Sequence, residues 1–394
     1  MTTNHPTPQG EHLTLEQPLA ANPRERKITL GFPSGLSFGE RRFPLTPEGA
    51  VQLTERGYGV KMETGAGEPI HYSDRAYLRA GVELCDRAQA LRADIIISPA
   101  PLRPAEAAGL HRGALLLTLL HAVADNAPYA QALQSAGVNV VAADLISREG
   151  HRLVADILHE IDGCASMAVA SALLADPIGG KGILLGGVTG IVPCEVCVIG
   201  SGMGAIAAAH NALGLGATVR MFDDDLYSLR TASRVLGHRT VSSAMHPKVL
   251  HSALRSADVV VVSPMARPLV VDAEIVSEMK KRVLVFDITA TPGSTFPSIG
   301  LIDMAAPGVD SLAAATGRAC YCNLGCRVPR TAAMALSNAL VANVSVLCDV
   351  LDSIARAGDP LRRAMLLCWG KCVHPALAET LGTRPLDINF LTGN

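Results

Sequence analysis

The chain has few charged residues, no long apolar run and no cluster of basic residues. Charged residues make up 18% of its 394 residues, and the formal net charge is -2. Nucleic acid binding needs concentrated Lys and Arg, so nucleic acid is not an expected partner. The most apolar stretch, residues 114–124, is well short of the roughly 20 residues that a membrane helix needs. We therefore expect no membrane partner and a small molecule as ligand.

The chain also lacks the features of an exported protein and of a structural zinc site. Its first residues show neither the basic nor the apolar region of a signal peptide, so a cytoplasmic location is expected. The ten cysteines are interpreted as reduced, buried small hydrophobes. Cys320, Cys322 and Cys326 lie close together but lack C-x2-C spacing and His partners, so no metal is predicted.

Apolar residues, in contrast, are abundant. They make up 49% of the chain, and the mean hydropathy is +0.28. Such a surplus is typical of a protein that covers part of its surface in an oligomer. Hydrophobic cores stop growing near roughly 250–300 residues, so this chain is expected to form two domains. We therefore predict a homo-oligomer of two-domain subunits.

Short β-branched runs alternate with helical patterns along the chain. This alternation predicts an α/β fold with parallel sheets and helices on both sheet faces. Strands are predicted at 28–32, 60–63, 93–97, 114–120, 196–199, 218–222, 259–262 and 283–286, and helices at 46–55, 160–175, 205–213, 227–236 and 328–351.

The order of these elements predicts two Rossmann-like, doubly wound domains. Residues 1–26 show little periodicity and are expected to be a disordered extension. A nucleotide-binding domain is predicted at 166–327. It is inserted into a discontinuous substrate domain formed by 27–165 and 328–394, because the last long helix is expected to return to the first lobe.

A glycine-rich segment follows the predicted strand 196–199 and opens an alanine-rich helix. Its sequence is Gly200-Ser201-Gly202-Met203-Gly204-Ala205. Gly200 permits a tight turn, Gly202 allows close approach of a pyrophosphate to the helix N-terminus, and Ala205 takes the close-packing position. The residues predicted to bind the cofactor here are Gly200, Gly202, Met203, Gly204 and Ala205.

An acidic residue, Asp223, ends the next predicted strand. A carboxylate at this point accepts hydrogen bonds from both hydroxyls of the adenosine ribose. Together with Asp224 and Asp225 it would repel a 2′-phosphate, so the sequence predicts NAD rather than NADP. The alternative is that these glycines and aspartates only close ordinary turns, but strand, glycines, helix, strand and acid occur here in the order that a dinucleotide site requires.

Six motifs, in the same order, resemble the family of alanine dehydrogenases and NAD(P) transhydrogenase α-subunits over about residues 27–350. The first, Gly39-Glu40-Arg41-Arg42-Phe43-Pro44-Leu45-Thr46-Pro47, is similar to the family's E-x-R-V-A-x-T-P segment. The others are Glu63–Gly67, Ala93–Ile97, Gly182–Gly190, the glycine segment at 200–205 and Val328–Thr331.

The resemblance implies two Rossmann-like domains with a cleft between them. It also implies hydride transfer between NAD and the α-carbon of an amino acid or its imine, in a hexamer or a dimer. By the same resemblance, Arg42 binds the carboxylate of an amino or keto acid, His121 is an acid/base, and Asn323 lies near the nicotinamide ribose. Without the family, an isolated His after a strand is more often a buried core residue, and Asn323 has the alternative of a turn-forming asparagine.

Two positions depart from the family pattern. Ser98 or Ala100 stands where the family has a Lys, and Thr291 stands where it has a functional acid. Three hypotheses stay open: an alanine-type amino acid dehydrogenase, a catalytically lapsed NAD(H)-binding relative with a regulatory or structural role, and a dehydrogenase with a different substrate. In the third, Arg103 or His159 would take over part of the lost role.

Overall fold

The computed structural model describes residues 27–306, 317–352 and 358–392, so the predicted extension at 1–26 lies outside it. The strands are β1 (Thr29–Phe32), β2 (Gly59–Glu63), β3 (Glu83–Cys85), β4 (Ile95–Ile97), β5 (Leu115–Thr118), β6 (Asn139–Ala142), β7 (Glu195–Ile199), β8 (Thr218–Phe222), β9 (Val241–Ser243), β10 (Val259–Val262), β11 (Leu284–Asp287), β12 (Gly300–Asp303), β13 (Ala319–Cys322), β14 (Met365–Cys368) and β15 (Lys371–Cys372).

Helices connect most of these strands. They are α1 (Pro47–Glu55), α2 (Asp74–Arg79), α3 (Arg87–Ala90), α4 (Pro104–Ala108), α5 (Leu120–Ala124), α6 (Ala127–Ala136), α7 (Leu153–Ala175), α8 (Met203–Gly214), α9 (Leu226–Val235), α10 (Pro247–Ser256), α11 (Ala273–Glu278), α12 (Pro329–Asp352), α13 (Asp359–Ala364), α14 (Pro375–Leu381) and α15 (Ile388–Thr392). A short 3-10 helix, Leu324–Arg327, precedes α12.

The strands form two sheets, and the predicted fold class is confirmed. The first sheet has the order β15-β14-β6-β5-β4-β1-β2-β3, and the second has the order β12-β13-β11-β10-β7-β8-β9. The second sheet is parallel, whereas β14 in the first sheet runs antiparallel to both of its neighbours. Because β14 and β15 follow the second sheet in the chain, the first sheet is built from two separate segments. The domain boundaries given above stay a prediction.

The strand order reverses direction next to β1 in one sheet and next to β7 in the other. Ligands of open parallel sheets bind beyond the carboxyl ends of the strands at such switch points. The loop after β1 leads to Arg42, and the loop after β7 is the glycine segment. The topology therefore places both predicted binding segments where ligands are expected.

Burial on both faces of the parallel sheets explains why continuous apolar runs in the sequence predicted these strands. Strand β10 consists of four valines, all of them completely buried, as expected for a strand covered on both faces. The hairpin of β14 and β15 was not predicted, because a four-residue apolar run directly after a helix has no period of its own. Helix α7 begins at Leu153, earlier than the predicted residue 160.

The two longest helices are long and apolar enough, by length and composition alone, to cross a membrane. In the spans Leu153–Ala175 and Pro329–Asp349, 56% of the most apolar window is nevertheless buried inside the protein. Buried core helices of this kind are apolar because they face protein on several sides. They do not indicate a membrane protein.

Helices α7 and α8 approach each other through glycines. A Cβ atom on Gly163 would lie 2.3 Å from the carbonyl oxygen of Gly204, and one on Gly204 would lie 2.8 Å from the carbonyl oxygen of His159. Ala205 is also fully buried, but the closest approach between the helices is made at Gly204. The first turn of α8, the fingerprint helix that the glycine segment opens, is therefore packed directly on α7.

We predict that Gly163→Ala destabilises the protein although it occurs in a helix. Helix propensity alone would favour Ala by about 1 kcal/mol, but the overpacked contact costs about 1–3 kcal/mol. The matched control is Gly214→Ala at the end of α8, where an added Cβ meets nothing within 4 Å. Urea unfolding should show a loss of stability for the first variant and none for the second; equal curves would contradict the packing argument.

Candidate active site

The glycine segment turns sharply from β7 into α8. Gly200 has φ 98°, and a Cβ there would lie 3.0 Å from the carbonyl oxygen of Ser263. Gly202 is the N-cap of α8, and no side chain caps this helix end. The first N–H groups of α8 are therefore available to an anion, as a pyrophosphate requires.

A buried hydroxyl faces this loop from the neighbouring strand. The Oγ atom of Ser263, directly after β10, is buried and has no hydrogen-bond partner among the residues that the structure describes. A Cβ on Gly200 would lie 3.1 Å from the Ser263 Cβ. An unsatisfied buried donor is costly unless a ligand completes it. Ser263 thus fits a dinucleotide site, and sequence reasoning missed it although a polar residue after four valines is a usable signal.

Asp223 lies at the end of β8 and is tied to the glycine loop. Its Oδ2 accepts a hydrogen bond from Ser201 Oγ at 2.6 Å, and its Oδ1 accepts one from the Asp225 N–H at 2.9 Å. Asp225 itself caps α9, and Asp224 is exposed. Only Asp223 of the three acids is both buried and directed to the glycine loop. These positions fit the residues predicted to hold NAD.

Arg42 carries a buried positive charge in the loop after β1. It is only 7% exposed. Its Nε donates to Glu40 Oε1 at 2.8 Å and its Nη2 to Glu40 Oε2 at 2.6 Å. Burial raises the pKa of Glu40, but Arg42 lowers it further, so the net shift is downward. Nη1 of Arg42 makes no hydrogen bond within the described part of the chain, so its N–H groups remain available to the carboxylate of a ligand.

A second carboxylate, Asp162 of α7, approaches the same guanidinium. Its Oδ1 accepts a hydrogen bond from the Gly325 N–H, and a Cβ on Gly325 would lie 3.6 Å from Arg42 Cδ. Burial raises the pKa of Asp162, and the opposing effects of Arg42 and the Gly325 N–H do not cancel the rise. Asp162 was missed in the sequence, although a carboxylate inside an apolar helix is a detectable signal.

Helix α7 brings the two binding segments together. Asp162 faces Arg42 and Gly325, while the next residue, Gly163, packs on Gly204. Arg42 and the start of α8 therefore lie against the same turn of α7.

His121 lies on α5, just beyond the end of β5. The Leu120 N–H donates to Asp144 Oδ1 at 2.9 Å, which fixes the start of this helix. The His121 side chain is exposed rather than a buried core residue, and its charge contributes to the lowered pKa of Glu40. His121 thus lies within electrostatic range of Glu40, but no hydrogen bond or ion pair joins it to Glu40 or Arg42 in the part of the chain that the structure describes.

The positions of the missing Lys and acid carry no charge. Ser98 Oγ donates to the Ala100 carbonyl oxygen at 2.8 Å, and both residues are buried. The Thr291 hydroxyl is 3.2 Å from Ser294 Oγ in an exposed part of its loop. The Asp287 carboxylate accepts hydrogen bonds from the backbone N–H groups of Thr289 and Gly293, so both of its oxygens bind the loop that follows β11.

The remaining candidates take different positions. Asn323 has φ 55° and donates to Asp303 Oδ1 at 2.7 Å, so it forms the turn after β13. His159 is half-buried, and burial lowers its pKa. The Arg103 side chain is 62% exposed and lies 3.5 Å from Glu106. Arg103 does not line the cavity next to Arg42 described below.

The ten cysteines are free thiols, and all but Cys164 are buried, as interpreted from the sequence. Burial raises the pKa of Cys326, which lies next to Glu40 and Arg42, to about 12. Among the residues with described positions, no group of three or more His, Cys, Asp or Glu side chains is arranged to hold a metal ion.

Comparison with known proteins agrees with this geometry. The family descriptions that match are "Alanine dehydrogenase/PNT, N-terminal domain" at residues 31–162 and "Alanine dehydrogenase/PNT, C-terminal domain" at residues 166–375. The alanine dehydrogenase of Mycolicibacterium smegmatis is 31% identical over 373 residues, covering 90% of this chain and 97% of that protein. That of Bacillus subtilis is also 31% identical, covering 90% and 95%.

Solved structures share the fold. An L-alanine dehydrogenase superimposes with a TM-score of 0.80 at 24% identity, covering 90% of this chain and 99% of the other. A transhydrogenase from Sinorhizobium meliloti gives a TM-score of 0.71 at 20% identity, covering 89% and 100%.

Together with these relatives, the two sheets and the glycine segment after β7 identify an NAD-dependent oxidoreductase that acts on CH–NH2 donors. The chain belongs to the alanine dehydrogenase/PNT family. The predicted cofactor, NAD, and the predicted enzyme class are confirmed at this level.

We predict that NAD+ binds more tightly than NADP+ and that Asp223→Ser reduces this preference. The substitution removes a charged acceptor, which weakens NAD+ binding roughly ten- to hundredfold. Asp224→Ser is the matched control, since that neighbouring acid is exposed and should leave most of the preference intact. Calorimetric titration of both nucleotides measures this. Equal effects of the two variants would show that Asp223 is not the ribose acceptor.

Proposed function

We propose that the protein catalyses NAD-dependent oxidation of an amino acid to the corresponding 2-oxo acid and ammonium, and the reverse reaction. Alanine is the first substrate to consider, because the curated relatives are named alanine dehydrogenases. The observation that carries the proposal is Arg42, a buried cation with free N–H donors. It lies beside Asp162, on the turn of α7 that packs against α8.

Arg42 is proposed to bind the α-carboxylate of the substrate. Glu40 holds the guanidinium through Nε and Nη2, so the plane of the fork is fixed before the substrate arrives. A preorganised fork suits bidentate recognition of a carboxylate. Glu40 is thus a positioning residue for Arg42.

His121 is proposed to handle protons at the amino group and at the water that releases ammonium. It is exposed at the carboxyl edge of the first sheet, near Glu40. An imidazole ring can both take and give a proton, which suits this role. Bound NAD+ supplies the hydride acceptor for the substrate α-carbon. Residues Gly200, Gly202, Met203, Gly204, Ala205, Asp223 and Asn323 are proposed to hold that cofactor.

The second candidate function is NAD(H) binding without efficient turnover. It is favoured by the uncharged residues at the two departing positions, where Ser98 is satisfied by the Ala100 carbonyl and Thr291 by Ser294. A cation opposite a developing oxyanion lowers a reaction barrier by several kcal/mol. The chain lacks that contribution from these positions.

The proposed setting is a cytoplasmic homo-oligomer, a hexamer or a dimer, acting on small molecules. Support comes from the segment between α7 and β7, which exposes several large aliphatic side chains. Among these, Ile178 is 88% exposed, Val192 86% and Ile191 68%. Exposed large aliphatic side chains of this kind are often covered by a contact between subunits.

We predict that alanine oxidation and pyruvate amination, followed by NADH absorbance, are slow, and that Ala100→Lys combined with Thr291→Asp raises the rate. Each restored group is of a kind that contributes about 100-fold or more. The matched control, Ala100→Met with Thr291→Asn, changes size without charge and should stay slow. Fast turnover by the unmodified protein would refute the role given to the missing groups. A silent restored variant that still binds NAD would favour the binding function.

A further inference from the structure

A cavity of roughly 450 Å³ opens next to Arg42. Pockets of about 300–1,000 Å³ bury ligands far larger than alanine, whose side chain is a single methyl group. The space lies between the first sheet and helices α7, α12 and α13, beyond the carboxyl ends of β4 and β5. A site for alanine alone does not need it.

The cavity walls are aliphatic and follow one face of α12. Leu336, Leu340 and Leu347 line it at helical spacing, opposite Ile97 and Leu117 of the sheet. Eleven residues of helix span roughly 16 Å. The cavity is therefore elongated, with an apolar surface that gains free energy by enclosing an apolar chain.

The charged end of the cavity lies near the start of α12. Cys326 Sγ, three residues before that helix begins, is 3.8 Å from Glu40 Oε1, the partner of Arg42. At the other end the lining includes Leu361 of α13, which follows α12 in the chain. A ligand that fits has a carboxylate at one end and an apolar body extending from it.

An unsatisfied polar group faces the same space. Thr118 lines the cavity and is only 2% exposed, and its hydroxyl has no hydrogen-bond partner among the residues that are described. A buried hydroxyl without a partner that lines a cavity can be paired by a polar group of a ligand. The other polar residues of the lining, Arg148, His151 and Asn343, are exposed and remain hydrated.

We propose that the substrate is an amino acid with a long or bulky apolar side chain, and its 2-oxo acid, rather than alanine. The carboxylate binds Arg42, the group at C2 faces Thr118, and the side chain occupies the aliphatic cavity. This inference rests on the proposed function, since it uses the same carboxylate site.

The test is calorimetric binding of straight-chain 2-oxo acids, from pyruvate to 2-oxo-octanoate, to the NAD+-loaded protein. With NAD+ bound, a 2-oxo acid cannot be reduced, so the readout is affinity and not turnover. Affinity is expected to rise with each methylene by about fourfold, equivalent to about 0.8 kcal/mol. Thr118→Val should weaken the whole series by a similar factor without changing this slope.

Variants of α12 test whether the rise of affinity with chain length arises in the cavity. Ala339→Phe fills space in the lining and should abolish the gain for the longer acids while leaving pyruvate affinity nearly unchanged. The matched control is Ala342→Phe, on the exposed face of the same helix, and it should keep the gain. Thermal melting confirms that both variants are folded.

The outcomes separate the two proposals. Affinity that is flat or falls with chain length overturns the inference of a large apolar substrate and leaves the proposed function intact. If no 2-oxo acid binds, while alkyl compounds without a carboxylate do, the proposed function is overturned as well. A rising series that is lost throughout in Arg42→Met supports both.

Discussion

The guanidinium of Arg42 is almost completely removed from water, and a buried charge is tolerated only when other groups compensate it. Glu40 does so through two hydrogen bonds, and the Asp162 carboxyl of helix α7 lies near the same guanidinium. The loop after β1, the turn at Leu324–Arg327 and helix α7 must therefore converge on one point. Where they converge, the guanidinium still has N–H donors that face a cavity.

Helix α7 turns this local constraint into an arrangement of the two lobes. Asp162 lies near Arg42. The next residue, Gly163, lets α8 come so close that the Gly204 carbonyl oxygen leaves no room for a side chain at position 163. The same stretch of helix thus positions Arg42, the proposed carboxylate ligand, and the glycine segment. A shift in this packing changes the distance between substrate and cofactor, to which reaction rates are highly sensitive.

The fold and the dinucleotide site were predictable because their signals are local. Buried strands such as Val259–Val262 are continuous β-branched runs, and the glycine segment with Asp223 is a short pattern with a physical meaning at each position. The pairing of Asp162 with Gly325 and the cavity at Thr118 join residues distant in the chain, so no local pattern predicts them. The family resemblance predicted the uncharged residues at Ser98 or Ala100 and at Thr291, but it did not predict the cavity beside Arg42.

The central claim is that Arg42 binds the substrate carboxylate, and the neighbouring Asp162 carboxylate would compete with that substrate for the guanidinium. Burial raises the pKa of Asp162, so its negative charge develops above the usual carboxyl range. As the pH rises through that pKa, the new charge competes for Arg42, and carboxylate affinity should fall. The direct measurement is the pH dependence of pyruvate binding to the NAD+-loaded protein, for the wild type and for Asp162→Asn. The account predicts that the fall disappears in the variant; identical pH profiles would contradict it.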